Sequence, residues 1–180
     1  MAVTDDKLIV SRMKEDALGG FKLLMDKYKQ PVYWHIRRLV VTHADAQDAS
    51  QEAFVRMYRS FAGFNPANSL SAWVYRIATN EALRLIGQRK TTVSLPDGDS
   101  LAACLMEADS YTDYSDLEAV RLQKAILSLP RKQQLAFNLR YYDGLSYEEI
   151  GQVAGSTAAS AKANYHTAKE KIVKYMKEND

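Results

Sequence analysis

Apolar residues recur at three- and four-residue spacings over most of the chain, and that rhythm predicts helices. "TDDKLIVSRMKEDALGG" predicts a short helix from about Asp5 to Glu15, ended by Gly19 and Gly20. "FKLLMDKYKQPVYWHIRRLVV" places Phe21, Leu24, Met25, Tyr28, Val32, Ile36 and Leu39 on one face. Pro31 sits inside it. A proline lacks the amide donor and crowds the preceding turn, so a kink or a break is expected there. A third helix runs through "ADAQDASQEAFVRMYRSFAGF", polar in its first half and apolar in its second. "GFNPANS" reads as a loop, punctuated by Gly63, Asn65, Pro66 and Asn68. "SAWVYRIATNEALRLIGQRK" is a fourth helix, with Trp73, Ile77 and Leu83 or Leu85 toward a core.

The rhythm fails from Thr91 to about Thr112. "TTVSLPDGDS" is turn-rich and the rest is acidic, which predicts a linker with a partial helix at "LAACLMEA". The rhythm then resumes in four helices, at about 114–128, 131–142, 147–154 and 157–177, with Pro130 separating the first two. The expected fold is all-α: two small helical domains, 1–92 and 113–180, joined by an acidic linker at 93–112. With 8 Gly and 4 Pro the chain is too poor in turn residues for an all-β design.

Composition narrows the chemistry. A single cysteine, Cys104, excludes an internal disulfide and a Cys-rich zinc site. His35, His43 and His166 lack metal-ligand spacing, and no nucleophile–base pair or phosphate loop is apparent. An enzyme is therefore not expected, nor a cofactor. No apolar run reaches membrane-spanning length and "MAVTDDKLIV" is unlike a secretory signal, so a cytoplasmic protein without membrane insertion is expected. Net charge is only +2, but it is unevenly spread. Residues 91–120 hold seven acids and no Lys or Arg, while residues 1–90 carry fourteen bases against nine acids and residues 121–180 ten against six. Two mildly basic blocks flank an acidic one, a distribution that suits either a polyanion-binding protein or ordinary solvated helix faces.

The most specific local pattern is "YYDGLSYEEIGQVAGSTAASAKANYHTAKEKI", residues 141–172. Gly144 is placed to cap one helix. Ser146 and Glu149 form a capping box, flanked by Leu145 and Ile150 as a hydrophobic staple. Gly155 supplies a tight turn, and Ser156 or Thr157 caps the next helix. In that helix Ala161, Tyr165, Ala168 and Ile172 share an inward face. The opposite face shows Ala159, Ser160, Ala163 and Thr167, with Lys162, Asn164 and Lys169 on the flanks. This is a helix-turn-helix whose second helix opens with small residues. Such a helix end can approach DNA closely, with Ser156, Thr157 and Ser160 bonding phosphates or base edges and Asn164 reading an adenine edge. A helix pair packing on another protein fits the same pattern.

These residues resemble a known family. "DGLSYEEIGQVAGSTAASAKANYHTAKEKI" resembles region 4 of bacterial RNA polymerase sigma factors of the extracytoplasmic-function (ECF) group. "DAQDASQEAFVRMYRSFAGF" and "SAWVYRIATNEALRLI" are similar to region 2. "LSLPRKQQLAFNLRYYDGLSYEEI" is similar to the helix that leads into region 4, and "YHTAKEKI" resembles Bacteroidetes-type members. The resemblance covers nearly the whole chain in the right order. It implies a factor that binds core RNA polymerase, directs it to −35 and −10 promoter DNA and helps separate the strands, and that an anti-sigma factor holds inactive.

The resemblance also implies sites. Asp45, Asp48, Gln51 and Glu52 correspond to the polymerase-docking segment, although the residues alone are better read as a solvated helix start. Asn65, Asn68, Ser69, Arg76, Asn80 and Arg84 correspond to the −10 reader. Tyr58, Tyr75 and Trp73 are candidate platforms for an unstacked base, with Trp73 better read as core. Ser156, Thr157, Ala159, Ser160, Lys162, Ala163, Asn164 and Thr167 correspond to the −35 reader. The acidic linker corresponds to a connector that threads the polymerase, where Asp97, Asp99, Glu107 and Asp109 would mimic a nucleic acid strand or cover basic helices. The chain departs from the pattern at Asn164 and Thr167, where arginine is common, and at "GQRK", a sparse basic run. Weak DNA binding by the free protein is therefore expected. A DNA-binding regulator without polymerase docking leaves 43–90 unexplained, and a purely protein-binding adaptor would not open a promoter.

Overall fold

A computed structural model describes residues 4–40, 42–90 and 117–180. The expected linker at 93–112, with its partial helix, Cys104 and acidic residues, lies outside them. Among the described residues there are eight α-helices and one short 3-10 turn: α1 (Asp6–Glu15), α2 (Ala17–Val40), α3 (His43–Ser60), the turn Phe61–Gly63, α4 (Leu70–Lys90), α5 (Leu117–Leu127), α6 (Arg131–Tyr141), α7 (Tyr147–Ala154) and α8 (Ala158–Glu178).

The first block is built around α2, which packs on α1, α3 and α4. The α1 helix starts at Asp5, whose carboxylate accepts from the Lys7 amide at 3.2 Å. Asp6 then ties three helices together. It accepts from Lys27 Nζ at 2.6 Å, from the Tyr28 hydroxyl at 2.8 Å and from Ser71 Oγ at 3.2 Å. The expectation that Gly19 and Gly20 end α1 is corrected. The α1 helix stops at Asp16, which turns extended, and both glycines lie in the first turns of α2. Gly20 serves packing: a Cβ there would come within 2.3 Å of the Met13 amide nitrogen.

Pro31 does not break α2, which runs unbroken from Ala17 to Val40. Proline in a helix costs about 3 kcal/mol. Val32 and Ile36, both fully buried, lie just beyond it. Burying two such side chains contributes about 3–6 kcal/mol, enough to carry the helix through.

Trp73 belongs to the core edge, as its spacing with Ile77 implies. It packs edge-on against Phe61 and Phe64 at centroid distances of 6.1 and 5.3 Å. The principal core crosses from the first block into the second, because Leu135, Leu139, Leu145, Ile150 and Val153 join Ile36, Val74 and Tyr75 in one cluster. A smaller core of Ile126, Leu129, Phe137, Ala168 and Ile172 holds α5, α6 and α8 together.

Candidate nucleic-acid interface

The helix-turn-helix forms as its local signals dictate. The Leu145 amide donates to the Leu139 carbonyl at 3.0 Å, closing the turn after α6. The capping box is complete: the Glu149 amide donates to Ser146 Oγ at 3.2 Å, and the Ser146 amide donates to Glu149 Oε2 at 2.9 Å. Gly155 adopts φ 67° in the tight turn, and Thr157, not Ser156, caps α8 by accepting from the Ser160 amide at 3.1 Å. The Ser156 amide donates to the Gly151 carbonyl at 2.8 Å. Gly151 is a residue the periodicity does not single out. A Cβ there would lie 2.9 Å from the Ser156 carbonyl oxygen, so only glycine lets the two helices meet this closely.

Ala161, Ala168 and Ile172 are buried and Tyr165 packs on both cores. The opposite face is open. Ser156, Thr157, Ala159, Lys162 and Ala163 are exposed, and Ser160, Asn164 and Thr167 are partly so. The structure thus brings all eight candidate −35 residues to one accessible end of α8. Because Ala158, Ala159 and Ser160 are short, the amides of the first turn that Thr157 does not cap are open to an approaching anion.

Along α4, Arg76, Asn80 and Arg84 are exposed at four-residue spacing and make one polar stripe. The loop before it is partly committed to its own fold. Asn65 Oδ1 accepts from the Ala67 amide at 3.0 Å, and Asn68 is exposed. Ser69 Oγ accepts from the Ala72 amide at 3.2 Å, capping α4, and donates to Glu149 Oε1 at 2.8 Å. Of the candidate stacking residues, Tyr75 is buried with its hydroxyl on Asp143, whereas Tyr58 is 47% exposed and packs against Phe21.

The α3 candidates separate. Asp48 and Gln51 are exposed and Glu52 partly so, but Asp45 is turned inward. At 100° per residue Asp45 lies about 40° from the buried Ala49 and about 20° from the partly exposed Glu52, so it sits at the core edge of the helix. Between α2 and α3 runs a groove of about 1450 Å³ whose walls include Trp34, Arg37, Gln51, Val55 and Tyr58. Its apolar lining comes from both helices, Phe21, Tyr33 and Trp34 from α2 and Phe54, Val55 and Tyr58 from the second half of α3.

The two blocks meet at Asp143. Its carboxylate accepts from the Tyr75 hydroxyl at 3.1 Å and faces His35 Nδ1 at 3.6 Å and Arg38 Nη1 at 3.8 Å. The Arg38 guanidinium also lies 4.0 Å from the centre of the Tyr142 ring. Burial lowers the pKa of Arg38, and Asp143 counters that by favouring its charged form. Among the described residues no group of His, Cys, Asp and Glu could hold a metal, and no helix is long and apolar enough to cross a membrane.

Residues 24–92 match the sigma-70 region 2 family and residues 119–172 the sigma-70 region 4 family. The RNA polymerase sigma-H factor of Pseudomonas aeruginosa is 31% identical over 182 residues, across 95% of this chain and 93% of that protein. The ECF RNA polymerase sigma factor SigW of Bacillus subtilis is 29% identical, across 94% of this chain and 95% of SigW. This chain belongs to the ECF group of sigma-70 factors. Sigma factors are transcription initiation factors and not enzymes. The fold of this sigma factor is similar to that of CnrH, solved with the cytosolic domain of CnrY, at a TM-score of 0.73 and 16% identity over 97% of this chain and 99% of that one. It is similar also to RpoE of Bartonella quintana, solved with the anti-sigma factor NepR, at a TM-score of 0.72 and 20% identity over 87% of this chain and 96% of that one.

Proposed function

We propose that this sigma factor works as two modules, 1–92 and 113–180, joined by a connector at 93–112. The first docks on core RNA polymerase through Asp48, Gln51 and Glu52, and Asp45 shapes the helix start behind them. The loop residues Asn65, Asn68 and Ser69 and the α4 stripe of Arg76, Asn80 and Arg84 read the −10 element. The α8 face from Ser156 to Thr167 reads the −35 element. An anti-sigma factor restrains the free protein, and the site of action is the cytoplasm.

The observation that carries this reading is the open, small-residue end of α8, which no element among the described residues covers. Promoter geometry adds a requirement. The two elements lie about 25 base pairs apart, or about 85 Å along the duplex. A compact chain of this length has a radius of gyration of about 16 Å. The modules must therefore part at the Asp143 junction before both readers engage. The 26 residues between α4 and α5 reach about 90 Å when fully extended, so the tether permits it.

Run-off transcription with core polymerase over genomic fragments tests the reading and finds the promoters together. Discrete transcripts that depend on this chain are expected, and losing them in the Arg76→Ala and Ala163→Leu variants would tie them to α4 and α8. A chain that formed no complex with core polymerase would end the proposal.

A further inference from the structure

Glu81 lies on the buried side of α4 and is only 3% exposed, yet it is a carboxylate. Two arginines hold it. Arg84, one turn on, donates to its Oε2 from Nε at 3.0 Å and from Nη2 at 2.8 Å. Arg56 of α3 pairs with its Oε1. Arg56 also lies 3.7 Å from Glu52 Oε1, within the docking segment. The two arginine side chains are about half exposed, at 46% and 52%. A carboxylate buried this far is costly unless both oxygens are satisfied, and here each oxygen has its own guanidinium.

The consequence falls on Arg84. A guanidinium carries five N–H donors in a rigid planar fork. Glu81 engages one edge of that fork, through Nε and Nη2, and among the described residues nothing takes up the other donors. A free arginine has many rotamers and loses them when it grips a ligand. Arg84 has lost them already. Its position continues the exposed Arg76–Asn80 stripe, and although Glu52 and Glu81 together balance Arg56 and Arg84, the outward edge of the Arg84 fork and the nearby Arg76 still present donors to an anion.

We propose that Glu81 is a positioning residue, which presets the Arg84 guanidinium to grip a phosphate of the promoter strand that α4 faces. Arg56 fixes the second oxygen, so the carboxylate is anchored from α3 and cannot turn away with Arg84. This rests on the reading of α4 as a promoter-facing helix.

The test is a double-mutant cycle with Glu81→Gln and Arg84→Ala, measured as affinity of the complete polymerase complex for a promoter fragment recovered by run-off transcription. Glu81→Gln is expected to weaken binding about tenfold, the size of one charge-assisted contact. It is expected to add nothing further in the Arg84→Ala background. Non-specific duplex binding should hold or tighten, because a negative charge has gone. A cost of Glu81→Gln that is just as large without Arg84 overturns the proposal, since a merely structural carboxylate would give that result. If Glu81→Gln fails to fold, Arg84→Lys decides. Lysine keeps the charge but lacks the fork, so binding as weak as in Arg84→Ala is expected, and wild-type affinity overturns the proposal. If Arg84→Ala binds as wild type does, the positioning role falls while the sigma-factor reading stands. If the wild-type complex holds no promoter, the assignment of α4 falls and takes this proposal with it.

Discussion

The Tyr75 hydroxyl donates to Asp143 Oδ1 at 3.1 Å and so joins α4 to the turn that precedes α7. The contact spans two blocks of the chain, and a second bridge, Ser69 to Glu149 at 2.8 Å, runs beside it. Both carboxylates also serve the helix-turn-helix side: Glu149 closes its capping box, and Asp143 leads into Gly144. The interface combines these polar contacts with an apolar core that Ile36, Val74, Leu139 and Ile150 share. A junction of this kind is specific in geometry without being irreversible.

Removing charge from Asp143 should loosen the junction. Asp143→Asn keeps an acceptor for Tyr75 but leaves Arg38 without a counter-charge. A larger radius of gyration by small-angle scattering and faster amide exchange in α7 are expected for the free chain. Tyr75→Phe removes only the hydrogen bond to a charged group and should cost about 1.5 kcal/mol in urea unfolding. An unchanged radius in Asp143→Asn would show that the apolar core alone holds the blocks together.

Alkaline pH should weaken the fold through two tyrosines. Burial pushes the Tyr75 phenol well above its usual range, and the Asp143 charge adds to it. Burial does the same to Tyr28, with the Ser71 hydroxyl partly opposing and Asp6 reinforcing. An unfolded tyrosine titrates near about pH 10. Between that pH and the higher folded values the native state holds protons that the unfolded state has lost. Stability is therefore fully present below about pH 10 and falls as pH rises above it. Urea unfolding across about pH 8–11 should show this slope, and a Tyr28→Phe, Tyr75→Phe double variant should flatten it.

The helix-turn-helix was legible because its determinants are local. Ser146, Glu149, Gly155 and the Ala161–Tyr165–Ala168–Ile172 face each act within a turn or two of their own position, where spacing carries the information. The four-residue spacing of Arg76, Asn80 and Arg84 puts them on one face of α4 by the same kind of local rule. What spacing could not supply were contacts between distant segments. Asp143 meets Tyr75, Arg38 and His35 only once the blocks have packed, and Glu81 finds Arg56 only across α3 and α4. The errors share that cause. Pro31 and the Gly19–Gly20 pair are helix breakers by local chemistry. The first is overridden by the burial of Val32 and Ile36, and the second is used to bring α1 against α2.

Gly151 should tolerate no side chain. A Cβ would press on the Ser156 carbonyl at 2.9 Å and on the Thr157 carbonyl carbon at 3.0 Å, both backbone atoms that cannot rotate aside. Gly151→Ala gains helix propensity, about 1 kcal/mol, but must push α7 and α8 apart. Overpacking of this kind costs about 1–3 kcal/mol, so a net loss of thermal stability is expected. The turn also sets the angle of α8, so −35 binding should fall more than stability alone explains. A stabilised Gly151→Ala variant would mean that the turn can relax.

The sparse first turns of α8 make the sharpest prediction. Ala163 is exposed and packs on no core residue cluster. Leucine is nearly as good a helix former as alanine, so Ala163→Leu should leave the melting temperature within a degree or two. If α8 enters a groove of the duplex, the added isobutyl group stands where a base edge or the sugar–phosphate wall must come. Binding to a −35 fragment by the polymerase complex should then drop at least tenfold. Lys162→Ala, by contrast, would remove one phosphate contact from a helix docked this way and should lower the salt dependence of binding by about one unit of slope, whatever the sequence. Steric exclusion without a change in salt slope for one variant, and a change in slope without loss of sequence preference for the other, separates groove entry from general attraction to a polyanion. Wild-type affinity in Ala163→Leu would place the DNA on another face of α8.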